Sequence, residues 1–182
     1  MSVTPGTSPT AVRAGIVVGN PKPESRTWVA AGQLLRALGQ QSVHSLDLAT
    51  LASALVDFSS EAVDDAVRAV RELDLLVVAS PTYKATYTGL LKLFLERFEG
   101  GTGLDGVVAI PLMLGGSDHH HLACELHLKP LLVELGATCP TEALYLLDRP
   151  EAAESTRTEW LSRWSPTVHA MATYYAERRL QT

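Results

Sequence analysis

The run Leu75-Leu76-Val77-Val78-Ala79 is apolar at every position. A strand with one wet face alternates apolar and polar residues. A strand with no polar position is buried on both faces, as in parallel sheets covered by helices. The chain repeats this pattern. Ala14-Gly15-Ile16-Val17-Val18 stops at Gly19, and Val107–Leu114 stops at Gly115-Gly116. Ser42–Leu48 and Thr141–Leu147 complete five strand segments. Between them the apolar period changes to that of a helix: Thr27–Leu38 (Val29, Leu34, Leu35, Leu38), Ala62–Leu73, Gly89–Phe98 and Asp118–Leu135. The last of these is capped by Ser117 or Asp118 and ended by Gly136. Pro130 inside it removes a donor and strands the Leu126 carbonyl, which predicts a kink. Glu151–Leu180 is a final helical region, with Pro166 the place for an interruption.

Strands alternating with helices predict an α/β fold, a doubly wound five-stranded parallel sheet with helices on both faces. With right-handed crossovers the common order is 2-1-3-4-5. Strands one, three and four are then neighbours. Their carboxyl-end loops, Asn20–Thr27, Ser80–Gly89 and Gly115–His121, converge on one crevice, where open α/β sheets bind ligands.

At 182 residues, 46% apolar and 19% charged, the chain fits one domain over residues 13–182, after a flexible Thr-, Ser- and Pro-rich lead-in over residues 1–12. A net charge of −5 leaves no footprint for nucleic acid or an anionic membrane. No apolar run approaches the ~20 residues of a spanning helix. Two cysteines, Cys124 and Cys139, make no disulfide scaffold and suit the cytoplasm.

The first loop, Gly19-Asn20-Pro21-Lys22-Pro23-Glu24-Ser25-Arg26-Thr27, opens a helix. Free N–H groups, two hydroxyls and a guanidinium there suit a phosphate monoester. The same residues also serve as an ordinary N-cap and a surface charge. The loop is neither a Walker loop nor GxGxxG. The second loop, Ser80-Pro81-Thr82-Tyr83-Lys84-Ala85-Thr86-Tyr87-Thr88-Gly89, offers two flat aromatic faces, Tyr83 and Tyr87, for a heterocycle. Core-edge packing accounts for the tyrosines equally, and solvation for Lys84. In the third, Gly115-Gly116-Ser117-Asp118-His119-His120-His121, the glycines allow backbone to approach a ligand or make a plain strand-to-helix turn. Consecutive helical residues point ~100° apart, so the histidine triplet cannot hold one metal ion. His120, Cys124 and His127 share a helical face, but a packed face with a buried thiol has the same spacing, and no metal is expected. No serine or cysteine nucleophile is paired with a histidine, so a hydrolytic triad lacks support.

The stretch G-x-P…S-R-T after strand one, S-P-T-Y-K-A-T-Y-T-G-L-L-K after strand three and G-G-S-x-x-H-x-L-A…L-K-P after strand four resemble the NADPH-dependent FMN reductases, which are flavodoxin-like, over about Ala14–Tyr145. The likeness is greatest to the flavin reductases of two-component alkanesulfonate monooxygenase systems. The resemblance implies a flavodoxin-like fold, homodimers or homotetramers, FMN in the crevice, NADPH or NADH as hydride donor, and a flavin-dependent monooxygenase as partner. By motif match, Ser25, Arg26 and Thr27 hold the FMN phosphate, with Asn20 contacting it through its amide. Pro81, Thr82, Tyr83 and Lys84 line the isoalloxazine and ribityl chain beside Tyr87. Gly115, Gly116 and Ser117 flank the ring, and His120 matches a family histidine. The chain has Asn20 where the family usually has Ser or Thr, Lys22 where it has Arg, and Leu126 where the sulfonate-system reductases often carry an aromatic residue.

The implied activity is NAD(P)H-dependent reduction of FMN, with no side chain required as acid, base or nucleophile because the flavin carries the chemistry. A quinone or azo reductase with permanently held FMN is the first rival. A flavodoxin-type electron carrier is the second, although the T-x-T-G-type phosphate loop of such carriers is absent.

Overall fold

The computed structural model describes residues 11–181, so all but the end of the expected lead-in lies outside the described residues. Strands β1 (Ala14–Val18), β2 (Ser42–Asp47), β3 (Leu75–Pro81), β4 (Val108–Gly115) and β5 (Leu144–Leu147) form one parallel sheet, ordered β2-β1-β3-β4-β5. That is the order expected from the alternating pattern. The helices are α1 (Arg26–Ala37), α2 (Glu61–Arg71), α3 (Gly89–Leu95), α4 (Lys129–Glu134) and α5 (Pro150–Arg179).

Side chains alternate across a strand, so β3 feeds two cores. Leu75, Val77 and Ala79 pack with Leu34 and Leu35 of α1 and Val168 and Ala172 of α5. Leu76 and Val78 pack on the other face with Val63 of α2, Leu91 and Phe94 of α3, and Leu132 of α4. All seven residues of β3 and all eight of β4 are buried, which explains the absence of polar alternation. No helix among the described residues is long and apolar enough to cross a membrane.

Two helices differ from the sequence pattern. The expected helix over Asp118–Leu135 is broken into a 3-10 turn at Asp118–His120, a π-helical turn at Cys124–Leu128, and α4. In an α-helix the Pro130 ring would strike the Leu126 carbonyl. The π-turn widens the backbone just before that proline, and the Lys129 N–H reaches back to the Cys124 carbonyl. A bulge thus takes the place of the expected kink. Conversely, α5 runs unbroken through Pro166. Trp160 and Val168 are buried on either side of the proline, while Ser162, whose carbonyl it leaves unpaired, faces water.

The π-turn seats Cys124 in the core, and both cysteines are free. Burial pushes the Cys124 thiol up and the Cys139 thiol up to about 11. Both thiols stay protonated in the folded chain at a pH where those of the unfolded chain have ionised. The unfolded state then holds fewer protons, so stability falls as pH rises. The slope is at most about 1.4 kcal/mol per pH unit for each thiol. Urea denaturation between pH 8 and 10.5 should show this decline beginning near pH 9. Cys139→Ala should flatten it by one thiol's share.

Candidate functional site

The three carboxyl-end loops are physically tied together. Asn20 is buried at the end of β1. Its side-chain oxygen accepts from the Lys22 N–H at 2.9 Å, and its amide donates to Thr27 Oγ1 at 3.3 Å. Ser25 caps α1 by accepting from the Trp28 N–H at 3.2 Å. These contacts fold the loop over the start of α1, whose first N–H groups have no helical partners. Arg26 is exposed, and its guanidinium meets the Asp148 carboxylate at 2.7 Å. Asp148 follows β5, and its own N–H donates to the Gly115 carbonyl at 2.8 Å. One residue therefore links the cation of the first loop to the glycine of the third.

In the second loop Ser80 is fully buried and its Oγ accepts from the Thr88 N–H at 3.0 Å. Thr88 caps α3, accepting from the Leu91 N–H at 3.1 Å, and its hydroxyl donates to the Gly19 carbonyl. The phosphate-loop start and the aromatic loop are thus joined through one side chain. Between them Tyr83 and Thr86 exchange backbone hydrogen bonds across Lys84 and Ala85, which have φ of 51° and 67°. Two non-glycine residues in the left-handed region make a turn of the type that ordinarily carries Asn-Gly. Tyr83 stands half-exposed at this turn, whereas Tyr87 packs against the core on the α2–α3–α4 side. Lys84 is exposed. The His127 ring, from the π-turn, pairs through Nδ1 with Thr86 Oγ1 at 3.1 Å.

In the third loop Gly115 is buried and Gly116 exposed, with open space where a Cβ would stand on Gly116. Ser117 accepts from the His119 N–H at 3.3 Å. Its carbonyl accepts from the Tyr145 hydroxyl at 2.7 Å. Burial raises the Tyr145 phenol above its ordinary value, so it remains a donor through neutral pH. Thr82 Oγ1 is buried with no partner at hydrogen-bond geometry, although it lies close enough to Tyr145 to favour the ionised phenol. His119, His120 and His121 are exposed, His120 on the 3-10 turn. Cys124 is buried away from His120, and no group of three or more His, Cys, Asp or Glu suited to a metal ion occurs among the described residues.

Sequence reasoning missed the joining residues Ser80, Thr88, Tyr145 and Asp148. Thr88 was readable in principle, as a hydroxyl immediately before a Gly-Leu-Leu helix start. Tyr145 and Asp148 reach residues roughly thirty to a hundred and twenty positions away, and no local pattern carries such contacts.

The arrangement offers an orphaned buried hydroxyl, an open glycine, a half-exposed tyrosine, and a helix N-terminus with an arginine at its mouth. These suit a flat heterocycle with a phosphate tail, and FMN has that chemistry.

Comparison with known proteins converges on the same ligand. The NADPH-dependent FMN reductase family matches residues 12–151. The NADH-dependent FMN reductase SfnF of Pseudomonas putida is 30% identical over 172 residues, 87% of this chain and 92% of that protein. An NADPH-dependent FMN reductase of Escherichia coli is 40% identical over 80 residues, 44% of this chain and 41% of that protein. Among solved structures, the apo form of the NADH:FMN oxidoreductase EMOB superposes with a TM-score of 0.72 at 27% identity, covering 92% of this chain and 90% of that one. A WrbA-like flavodoxin from Agrobacterium tumefaciens shares the fold, with a TM-score of 0.61 at 14% identity over 88% and 99% of the two chains. The chain therefore belongs to the NADPH-dependent FMN reductase family, and its activity is the NAD(P)H-dependent reduction of FMN.

Proposed function

We propose that FMN lies across the three joined loops and leaves once reduced, for use by a flavin-dependent monooxygenase. The phosphate sits at the start of α1, contacted by Ser25, Arg26, Thr27 and the Asn20 amide. The ring lies between Pro81–Lys84, beside Tyr87, and Gly115–Ser117, near His120. The observation that supports this placement is the buried Thr82 Oγ1 without a partner, close to Gly115, with open space at the next residue, Gly116. FMN supplies the hydride-accepting chemistry when bound. The residues supply position: Thr82 and the Ser117 region offer polar contacts to the ring edge, Tyr83 covers part of its face, and Tyr145 holds the Ser117 carbonyl in place.

The experiment is stopped-flow oxidation of NADPH and of NADH with FMN added or withheld. FMN-dependent turnover that scales with added flavin supports a passing substrate. One flavin copurifying per chain, with turnover of quinones and no release of reduced flavin, would instead support a resident cofactor.

The Arg26–Asp148 pair favours exchange. An arginine shared with a carboxylate presents less positive charge to a phosphate, and a pair whose arginine is this exposed is worth ~0–1 kcal/mol and is readily re-partnered. Asp148→Asn should therefore tighten FMN binding about threefold to fivefold, read from quenching of flavin fluorescence. Arg26→Gln should weaken it about tenfold, the scale of a charge-assisted hydrogen bond. In the Arg26→Gln background Asp148→Asn should change nothing.

We further propose a single domain working in the cytoplasm as a homodimer or homotetramer. Free thiols suit a reducing compartment. The π-turn and α4 expose Leu126 and Val133, each more than half exposed, as an apolar patch that a second copy would cover. Leu126→Asp should shift sedimentation toward the monomer with little change in thermal stability of the isolated chain.

A further inference from the structure

A second cleft, of about 460 Å³, runs along the outer edge of β5 between the π-turn and the middle of α5. It shares a wall with the flavin crevice. Tyr145 lines it, and the hydroxyl of the same side chain bonds the Ser117 carbonyl and abuts Gly115. His121 and Leu122, which continue directly from the third loop, form the wall facing α5. The far end is aromatic. Trp160 donates its N–H to the Glu142 carbonyl at 2.9 Å and is thereby fixed. The Arg163 guanidinium lies 4.9 Å from the centre of the Trp164 ring, and the buried Trp164 N–H has no partner. A guanidinium resting on an indole is a flat, sequence-tolerant platform for a nucleobase.

The charges select among nucleobase ligands. Glu125, Glu142 and Glu159 line the cleft against one guanidinium, with His121 the other titratable group beside Tyr145. Arg163 is itself paired with Glu142 at 3.3 Å, and Glu125 is held by Lys129 and the Ala143 N–H. A carboxylate accepts a hydrogen bond from a ribose 2′-hydroxyl and repels a 2′-phosphate. The cleft is within the size range of nucleotide and drug-sized pockets, ~300–1,000 Å³. Its inner residue Leu144 is three strand positions from Leu147 at the crevice lip, about 10 Å at ~3.3 Å per residue. A diphosphate with its riboses bridges such a distance.

We infer that this cleft takes the adenosine end of the hydride donor, and that its carboxylates make the donor NADH rather than NADPH. The inference rests on the flavin lying between the second and third loops as proposed above.

ADP-ribose is the probe, titrated into the purified chain and followed by tryptophan fluorescence, with no flavin or turnover needed. Arg163→Ala, an exposed change, and Trp164→Leu should each weaken ADP-ribose binding at least about fivefold. ADP-ribose carrying a 2′-phosphate should bind about tenfold more weakly than ADP-ribose, and Glu159→Gln should narrow that gap. In turnover, both platform variants should lower the ratio of kcat/KM for NADH to that for reduced nicotinamide mononucleotide, which lacks the adenosine end. ADP-ribose affinity unmoved by either platform variant would overturn the inference. So would loss of that affinity in Arg149→Ala, which lies in the separate arginine-lined cleft between α1 and α5. If neither nicotinamide compound reduces FMN while ADP-ribose behaves as expected, the flavin placement fails and the nucleotide cleft stands.

Discussion

Thr88→Val is expected to cost about 2–4 kcal/mol of stability and to weaken FMN binding at least tenfold. Valine keeps the shape of threonine and removes only its hydroxyl. That hydroxyl caps α3 through the Leu91 N–H and donates to the Gly19 carbonyl. A lost N-cap costs ~0.5–2 kcal/mol. A buried carbonyl deprived of its donor costs about 1–3 kcal/mol more. Neither group can turn to water, because Thr88 is 4% exposed and Gly19 is packed so closely on α3 that a Cβ would come within 2.4 Å of Leu91 Cβ. The effect on flavin follows from position. Gly19 leads directly into Asn20 and the phosphate loop, and Thr88 ends the aromatic loop. Cutting their bond lets two walls of the crevice move independently, and misplaced contacts lose affinity steeply. Urea denaturation gives the first quantity and flavin fluorescence the second. Thr88→Ser keeps the hydroxyl and should recover most of both. If Thr88→Val lowers stability yet leaves the FMN affinity intact, the two loops do not depend on each other through this bond.

The strands and their order were legible because they follow from period and chirality. A run without polar alternation must be covered on both faces, and right-handed crossovers leave few orders. The three loops were legible for the same reason: position at the carboxyl ends of adjacent strands is set by topology, not by side-chain detail. Pro130 was visible as a disturbance, but its consequence was not. A kink and a π-turn both relieve the clash with the Leu126 carbonyl, and burial of Cys124 and Leu128 favours the turn that keeps both in the core. Pro166 shows the converse: the packing of Trp160 and Val168 on the sheet outweighs one lost hydrogen bond. Tyr87 and Tyr83 looked alike in the loop, yet one packs on the core and the other is half-exposed. Their difference depends on the left-handed turn at Lys84-Ala85, which neither residue type favours. The Arg26–Asp148 pair was beyond reach, since it joins a motif residue to an acid at the end of β5 that no motif marks.

Gly115→Ala should disable the third loop of the crevice. A Cβ at Gly115 would fall 1.8 Å from the Tyr145 hydroxyl oxygen and 3.1 Å from Thr82 Oγ1. The backbone there is buried strand. On one side the preceding residue, Leu114, is paired with Pro81 of β3, and on the other the Gly115 carbonyl accepts from the Asp148 N–H. The strand has little freedom to retreat, so the tyrosine must swing out. Its hydrogen bond to the Ser117 carbonyl is then lost, and the third loop loses its brace. Overpacking costs ~1–3 kcal/mol, and the released loop adds a loss in FMN affinity of at least about tenfold. The same displacement opens the shared wall of the β5 cleft. Tyr145→Phe separates the two contributions: it removes the hydroxyl and the brace without adding a methyl group, so it should weaken FMN binding while sparing most of the stability. In Gly115→Ala/Tyr145→Ala the clash is gone, so stability should return toward that of Tyr145→Ala alone, whereas FMN affinity should not return. A double variant clearly less stable than Tyr145→Ala alone would mean that the glycine is required for its backbone and not for the space it leaves to Tyr145.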